Sequence, residues 1–173
     1  MSVYLVLSVI GDDRPGLVSE LASVISSLEG NWLESSMSHL AGKFAGIVRV
    51  EVAGEHAAAL QAALTGLSGL KVTAESSAPS VPFPGRRLKL ALVGHDRIGI
   101  VREVSQVLAR HAVNVEELAT HTSSAPMSAE TLFHAYAELH VIPGLDAHAL
   151  KAELEHLSDD LMVDITLDEI ADR

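Results

Sequence analysis

Two stretches of this chain combine residue types that could hold a small charged molecule. Gly11-Asp12-Asp13-Arg14-Pro15-Gly16-Leu17-Val18 opens a helical pattern, and Asn31 stands just beyond the end of that pattern. An α-amino acid presents a carboxylate and an ammonium close together. A helix N-terminus offers unpaired backbone N–H groups to the carboxylate. Gly16 has no Cβ, so a ligand could approach the backbone there. Asp12 or Asp13 could pair with the ammonium, and Asn31 can both donate and accept. The same residues also have purely structural uses: Asp13 as a helix cap, Gly16 to relieve crowding, Asn31 to shape a turn.

The pattern returns at an offset of 83 residues, from Gly11 to Gly94, as Gly94-His95-Asp96-Arg97-Ile98-Gly99-Ile100-Val101. At that offset Glu20 matches Glu103, Val24 matches Val107, Asn31 matches Asn114 and Glu34 matches Glu117. The chain is an internal duplication, and Asp96, Gly99 and Asn114 are the second copy's candidates for ligand contact. A sensor built twice is expected, not an enzyme with one active site. Glu20 and Glu103 lie on the polar side of each helix and read as a solvated face.

Other chemistries find little support. The absence of cysteine excludes disulfides, thiolate zinc sites and thiol catalysis. Nine histidines are present, but none forms HxxxH or HExxH. His95 beside Asp96, and His121, are the best of a weak set, while His134 and His140 read as solvent-face strand positions. Neither a metal nor another cofactor is expected. The serines at 35–38 and 123–124 lie in strand or loop sequence without a nucleophile elbow. No catalytic residue is assigned.

The elements that must position these residues follow from periodicity. Val3–Ile10 is an apolar run with Ser8 its one polar member, which predicts a central strand covered on both faces. Asp13 is placed as N-cap with Pro15 in the first helical turn. Leu17, Val18, Leu21, Val24, Ile25 and Leu28 recur at helical spacing, and Gly30 supplies the stop. Strands are predicted over 31–40, 44–52 and 70–75, with a helix over 55–67. The second copy predicts strands over 88–93, 114–124, 131–142 and 162–167. Its helices cover 97–111, with Val101 on the buried face, and 146–157, capped by Asp146. Pro79, Pro82, Pro84 and Gly85 mark a linker. The expected organisation is a first domain over 1–76, a linker over 77–86 and a second domain over 87–173.

Each copy is therefore a βαββαβ unit, the ferredoxin-like arrangement of the α+β class: an antiparallel four-stranded sheet with both helices on one face. The other sheet face needs a cover, supplied by the second copy or by another chain in a homo-oligomer. The formal charge of −11, from 23 acids against 12 bases, opposes direct nucleic-acid binding. Three Phe, one Trp and two Tyr leave no stacking platform for bases. No apolar run approaches membrane length, and no basic segment precedes Val3–Ile10 as in a secretory signal, so the cytoplasm is the expected compartment.

The Asp-Arg-Pro-Gly-Leu-Val turn at 13–18, followed by Gly30-Asn31, resembles the signature of ACT domains, which are amino-acid-binding regulatory modules. A stand-alone ACT pair resembles the glycine cleavage system transcriptional repressor family. The resemblance implies a non-enzymatic regulator that binds a small amino acid, glycine being the family's suggestion. It further implies control of transcription through a DNA-binding regulator, without direct contact to DNA. It extends the expected contacts to Asp12, Asp13, Arg14, Pro15, Gly16, Leu17 and Asn31, and to Asp96, Arg97, Gly99, Ile100 and Asn114. Copy two departs from the pattern: Ile98 replaces the Pro, His95 replaces an Asp, and Val113 precedes its Asn. The alternative is an amino-acid-sensing regulatory subunit of a metabolic enzyme, whose catalytic domain would be a separate chain.

Overall fold

The computed structural model describes residues 1–79 and 81–170. In chain order they form β1 (Ser2–Asp12), α1 (Leu17–Ser27), β2 (Asn31–Leu40), β3 (Lys43–Ala53), α2 (Gly54–Thr65) and β4 (Leu70–Ser77). Then follow β5 (Arg86–His95), α3 (Ile100–Arg110), β6 (Asn114–Ser124), β7 (Thr131–Val141), α4 (Ala147–Leu161) and β8 (Val163–Glu169). The chain divides between Val81 and Pro82 into two compact units. Each is a ferredoxin-like βαββαβ unit with one antiparallel sheet, ordered β2-β3-β1-β4 in the first and β6-β7-β5-β8 in the second.

In unit 1 the register sets Leu5 opposite Val50 and Leu7 opposite Val48. These side chains point to the helices and pack with Leu21 and Ile25 of α1 and Leu60 and Leu64 of α2. Period-2 alternation sends Tyr4, Val6, Ser8 and Ile10 to the other face. Within the unit that face carries no helix: Ser8 is exposed and Ile10 is 46% exposed, next to Ile47 at 56%. Two of the run's apolar residues, Val6 and Ile10, belong to this helix-free face. Val18 and Val101 are likewise turned outward, at 48% and 45% exposure, although the helical pattern predicts them inside.

Both first helices end alike. Glu29 and Ala112 adopt left-handed backbone, φ 57° and 54°. The next N–H then donates to the carbonyl five residues back, Gly30 to Ile25 and Val113 to Leu108, each at 2.9 Å. The stop is therefore made at Glu29, not at Gly30. Gly30 is small for another reason: a Cβ there would come within 2.9 Å of Ile25. From this turn β2 begins at Asn31 and β6 at Asn114, each with an early bulge, between Trp32 and Glu34 and between Val115 and Glu117.

In unit 2 Asp146 caps α4, accepting from the N–H groups of His148 and Ala149 at 3.0 and 3.2 Å. The helix runs past Leu157 to Leu161, because Leu154 and Leu161 keep its buried stripe in step. His140 is buried instead of facing solvent. Phe83, from the segment preceding β5, lies edge-on to its ring with centroids 5.3 Å apart.

Candidate ligand site

The β1–α1 loop is held at four points. The Asp13 N–H donates to the Gly42 carbonyl at 2.9 Å, tying the loop to the β2–β3 turn. The Asp12 carboxylate is bonded to Lys43, which holds its pKa below the usual range by hydrogen bonding and by charge. The Arg14 guanidinium donates to both carboxylate oxygens of Glu20, at 2.7 and 2.9 Å. Gly16 then turns the chain through left-handed backbone, φ 93°, and its carbonyl accepts the first helical bond from the Glu20 N–H.

This geometry corrects the expected cap. The N-cap position belongs to Gly16, with no side-chain bond to the first turn; Asp13 and Pro15 precede the helix. Asp13 instead approaches His39, Oδ2 to Nε2 3.6 Å. The opening N–H groups of α1 are consequently left without a side-chain acceptor, which is what an anionic group could use. Beside them Asp13, Arg14, Gly16, Ser19 and Phe44 border an open groove of about 240 Å³. Leu17 is buried with the core and contributes only its edge.

Asn31 lies elsewhere. It borders a neighbouring groove of about 410 Å³, with Ser23, Ser26 and Trp32 along the flank of α1. The two grooves share Ser19. A ligand bound at the loop reaches Asn31 only by extending past that residue.

Unit 2 rebuilds the same loop. Gly99 has φ 96° and accepts from the Glu103 N–H at 2.9 Å, Arg97 donates to Glu103 at 2.7 Å, and the Asp96 N–H donates to Thr131 at 2.9 Å. His95 approaches Glu130 at 3.3 Å where Asp12 holds Lys43. Asn114 is exposed, opposite His140 in the register. A separate apolar cavity of about 50 Å³ lies between α3 and the sheet, and of the expected contacts only Ile100 borders it.

Glu20 and Glu103 are the residues that sequence reasoning missed. Each is the acceptor that fixes the loop arginine, and the hydrogen bond to Arg14, more than its charge, lowers the Glu20 pKa. The signal was present: Arg and Glu six positions apart, at 14 and 20 and again at 97 and 103. Among the described residues no group of three or more His, Asp or Glu is placed to hold a metal. His121 and His134 stack at 4.4 Å, with Ser123 2.8 Å from His134.

Residues 3–73 match the family model of the ACT domain. No curated protein matches the sequence. Among solved structures, an unknown protein from Galdieria sulphuraria is 30% identical over 99% of this chain and 100% of its own, with a TM-score of 0.86. A protein provisionally assigned as a glycine cleavage system transcriptional repressor shares the fold at 18% identity, covering 99% of each chain, with a TM-score of 0.75. A formyltetrahydrofolate deformylase from Burkholderia mallei aligns with 51% of this chain and 30% of its own, at 25% identity and a TM-score of 0.43.

Proposed function

We propose that this chain is a non-enzymatic amino-acid sensor: its first unit matches the family model of the ACT domain, and the second unit repeats that fold and loop. The observation that carries the reading is the twice-built loop. A left-handed glycine opens an uncapped helix, and an arginine–glutamate pair holds the preceding turn in both units. In unit 1 the groove beside it accommodates a small amino acid, its carboxylate toward the opening N–H groups and its ammonium toward Asp13. Glycine is the first ligand to try, and unit 1 is the stronger site, because unit 2 replaces Asp12 and Pro15 with His95 and Ile98.

The output is contact with a DNA-binding regulator. A chain of charge −11 gains nothing from phosphates, and its fold is shared with a provisionally assigned repressor. The exposed Ile10 and Ile47 on the open face of the first sheet support assembly into a homo-oligomer.

Thermal unfolding against all twenty amino acids tests the reading, since a ligand of the native state raises its stability by mass action. One small amino acid raises the midpoint, and Ser19→Phe, which obstructs both grooves of unit 1, abolishes the rise. Asn31→Ala leaves it nearly intact if the ligand stays at the loop. A flat response to all twenty overturns the proposal. Affinity capture then recovers a transcription regulator; recovery of a metabolic enzyme alone replaces that output with an enzyme-bound one.

A further inference from the structure

The two units differ where their cores meet the bulged edge strand. Trp32 and Val115 occupy equivalent places: each follows the Asn that opens its strand, and they pair with Val50 and Leu139, which face Leu5 and Leu88 on the central strands. Trp32 packs against the core of unit 1. Val115 is a far smaller side chain, 39% exposed. Two further substitutions remove volume at the same place. Ala137 stands where unit 1 has Val48, and Val104 where it has Leu21. Ala135 in place of Gly46, Leu92 in place of Val9 and Leu118, itself half exposed, in place of Ser35 return part of that volume.

In unit 2 a cavity of about 50 Å³ lies at this place, under α3. Ser105 is the one polar residue among those lining it. A single water needs about 10–15 Å³ and at least two polar partners, so this space is large enough for several heavy atoms and chemically unsuited to water. It is not sealed. Val101, Val115 and Leu118 border it while remaining 45%, 39% and 54% exposed. An apolar rim around an apolar cavity suits a hydrocarbon group entering from solvent.

We propose that unit 2 holds a binding pocket for the branched aliphatic end of a small metabolite, of isobutyl size, between α3 and the β5–β6–β7 part of its sheet. The wall admits no charged group, so a polar end stays at the mouth, beside Ser105. Unit 1 takes no such ligand, because Trp32 packs on its core at the corresponding place. The duplicated units thus differ in ligand class. The pocket is independent of the loop site proposed for unit 1 and survives the failure of that reading.

The test uses the full chain with leucine and isovalerate as probes and glycine as the control lacking a side chain. Leucine or isovalerate raises the unfolding midpoint and shifts the methyl resonances of Val115, Leu118 and Ala137, whereas glycine shifts none of those methyls. Val115→Trp and Ala137→Val restore the side chains of unit 1. Each raises the midpoint without ligand, by filling space, and weakens isovalerate binding at least tenfold. Circular dichroism confirms the fold of each variant, and Ala137→Val serves alone if the tryptophan disturbs it. Ser19→Phe leaves isovalerate binding unchanged, which separates this pocket from the unit 1 site. No methyl shift with either probe at millimolar concentration overturns the proposal, as does binding that persists in a folded filling variant.

Discussion

Gly16 and Gly99 stand at φ 93° and 96°, backbone that an L side chain adopts only at a cost. A Cβ on Gly16 would meet nothing within 4 Å, so any penalty there is conformational and not steric. Gly16→Ala is expected to destabilise by about 1–2 kcal/mol in urea unfolding, and Gly99→Ala by a similar amount. A neutral result would mean that the loop relaxes out of the left-handed turn. Glu20 supplies a second expectation. Its bond to Arg14 depresses the folded pKa, so its contribution is complete above the unfolded value, about 4.3, and is lost as pH falls through the folded one. Between pH 7 and 3 the midpoint of the wild type therefore falls more than that of Glu20→Gln. Parallel curves for the two proteins would show that the pair is not formed in solution.

Helices α1 and α4 begin in opposite ways. Asp146 satisfies two N–H groups of α4 with one carboxylate oxygen, whereas Gly16 has no side chain to offer α1. Asp146→Ala is expected to cost about 0.5–2 kcal/mol, the usual loss for a side-chain cap. Asp13→Ala costs less, because Asp13 caps nothing. Chemical unfolding of both variants decides the matter, and equal losses would restore Asp13 to the capping role. Helix α2 also starts without a side-chain cap, after Ala53, so what sets α1 and α3 apart is the uncapped start together with a left-handed glycine. A cap in that position would compete with an incoming carboxylate for the same N–H groups.

At the scale of the molecule, charge is the dominant property. With 23 acidic and 12 basic residues the chain repels phosphate, and six of its arginines are paired: Arg14 with Glu20, Arg49 with Glu34, Arg86 with Glu169, Arg87 with Glu116, Arg97 with Glu103 and Arg110 with Glu153. Fluorescence anisotropy with labelled duplex DNA at physiological salt is expected to show no saturable binding below about 100 µM, the weak end of ordinary non-specific affinity. A micromolar complex with the purified protein would displace the indirect mechanism in favour of direct operator binding.

The duplication, the strand and helix order and the Asp–Arg–x–Gly loop were legible in the sequence because each rests on local rules. Apolar periodicity selects strand or helix, and repetition at one offset exposes a unit used twice. Asn31–Leu40 and Asn114–Ser124 were even placed with the observed bounds. What periodicity could not decide was which side of an element would find a neighbour. Val6, Ile10, Val18 and Val101 are as apolar as their buried neighbours, and only the assembled sheet shows that they face outward. His140 is polar and buried because Phe83, far from it along the chain, folds over its ring. The same limit applied to the sites. The separation of Asn31 from the loop groove, the partnering of Glu20 with Arg14 and the cavity left by Val115 all depend on distances between side chains from different segments. Those distances exist only once the chain has closed on itself.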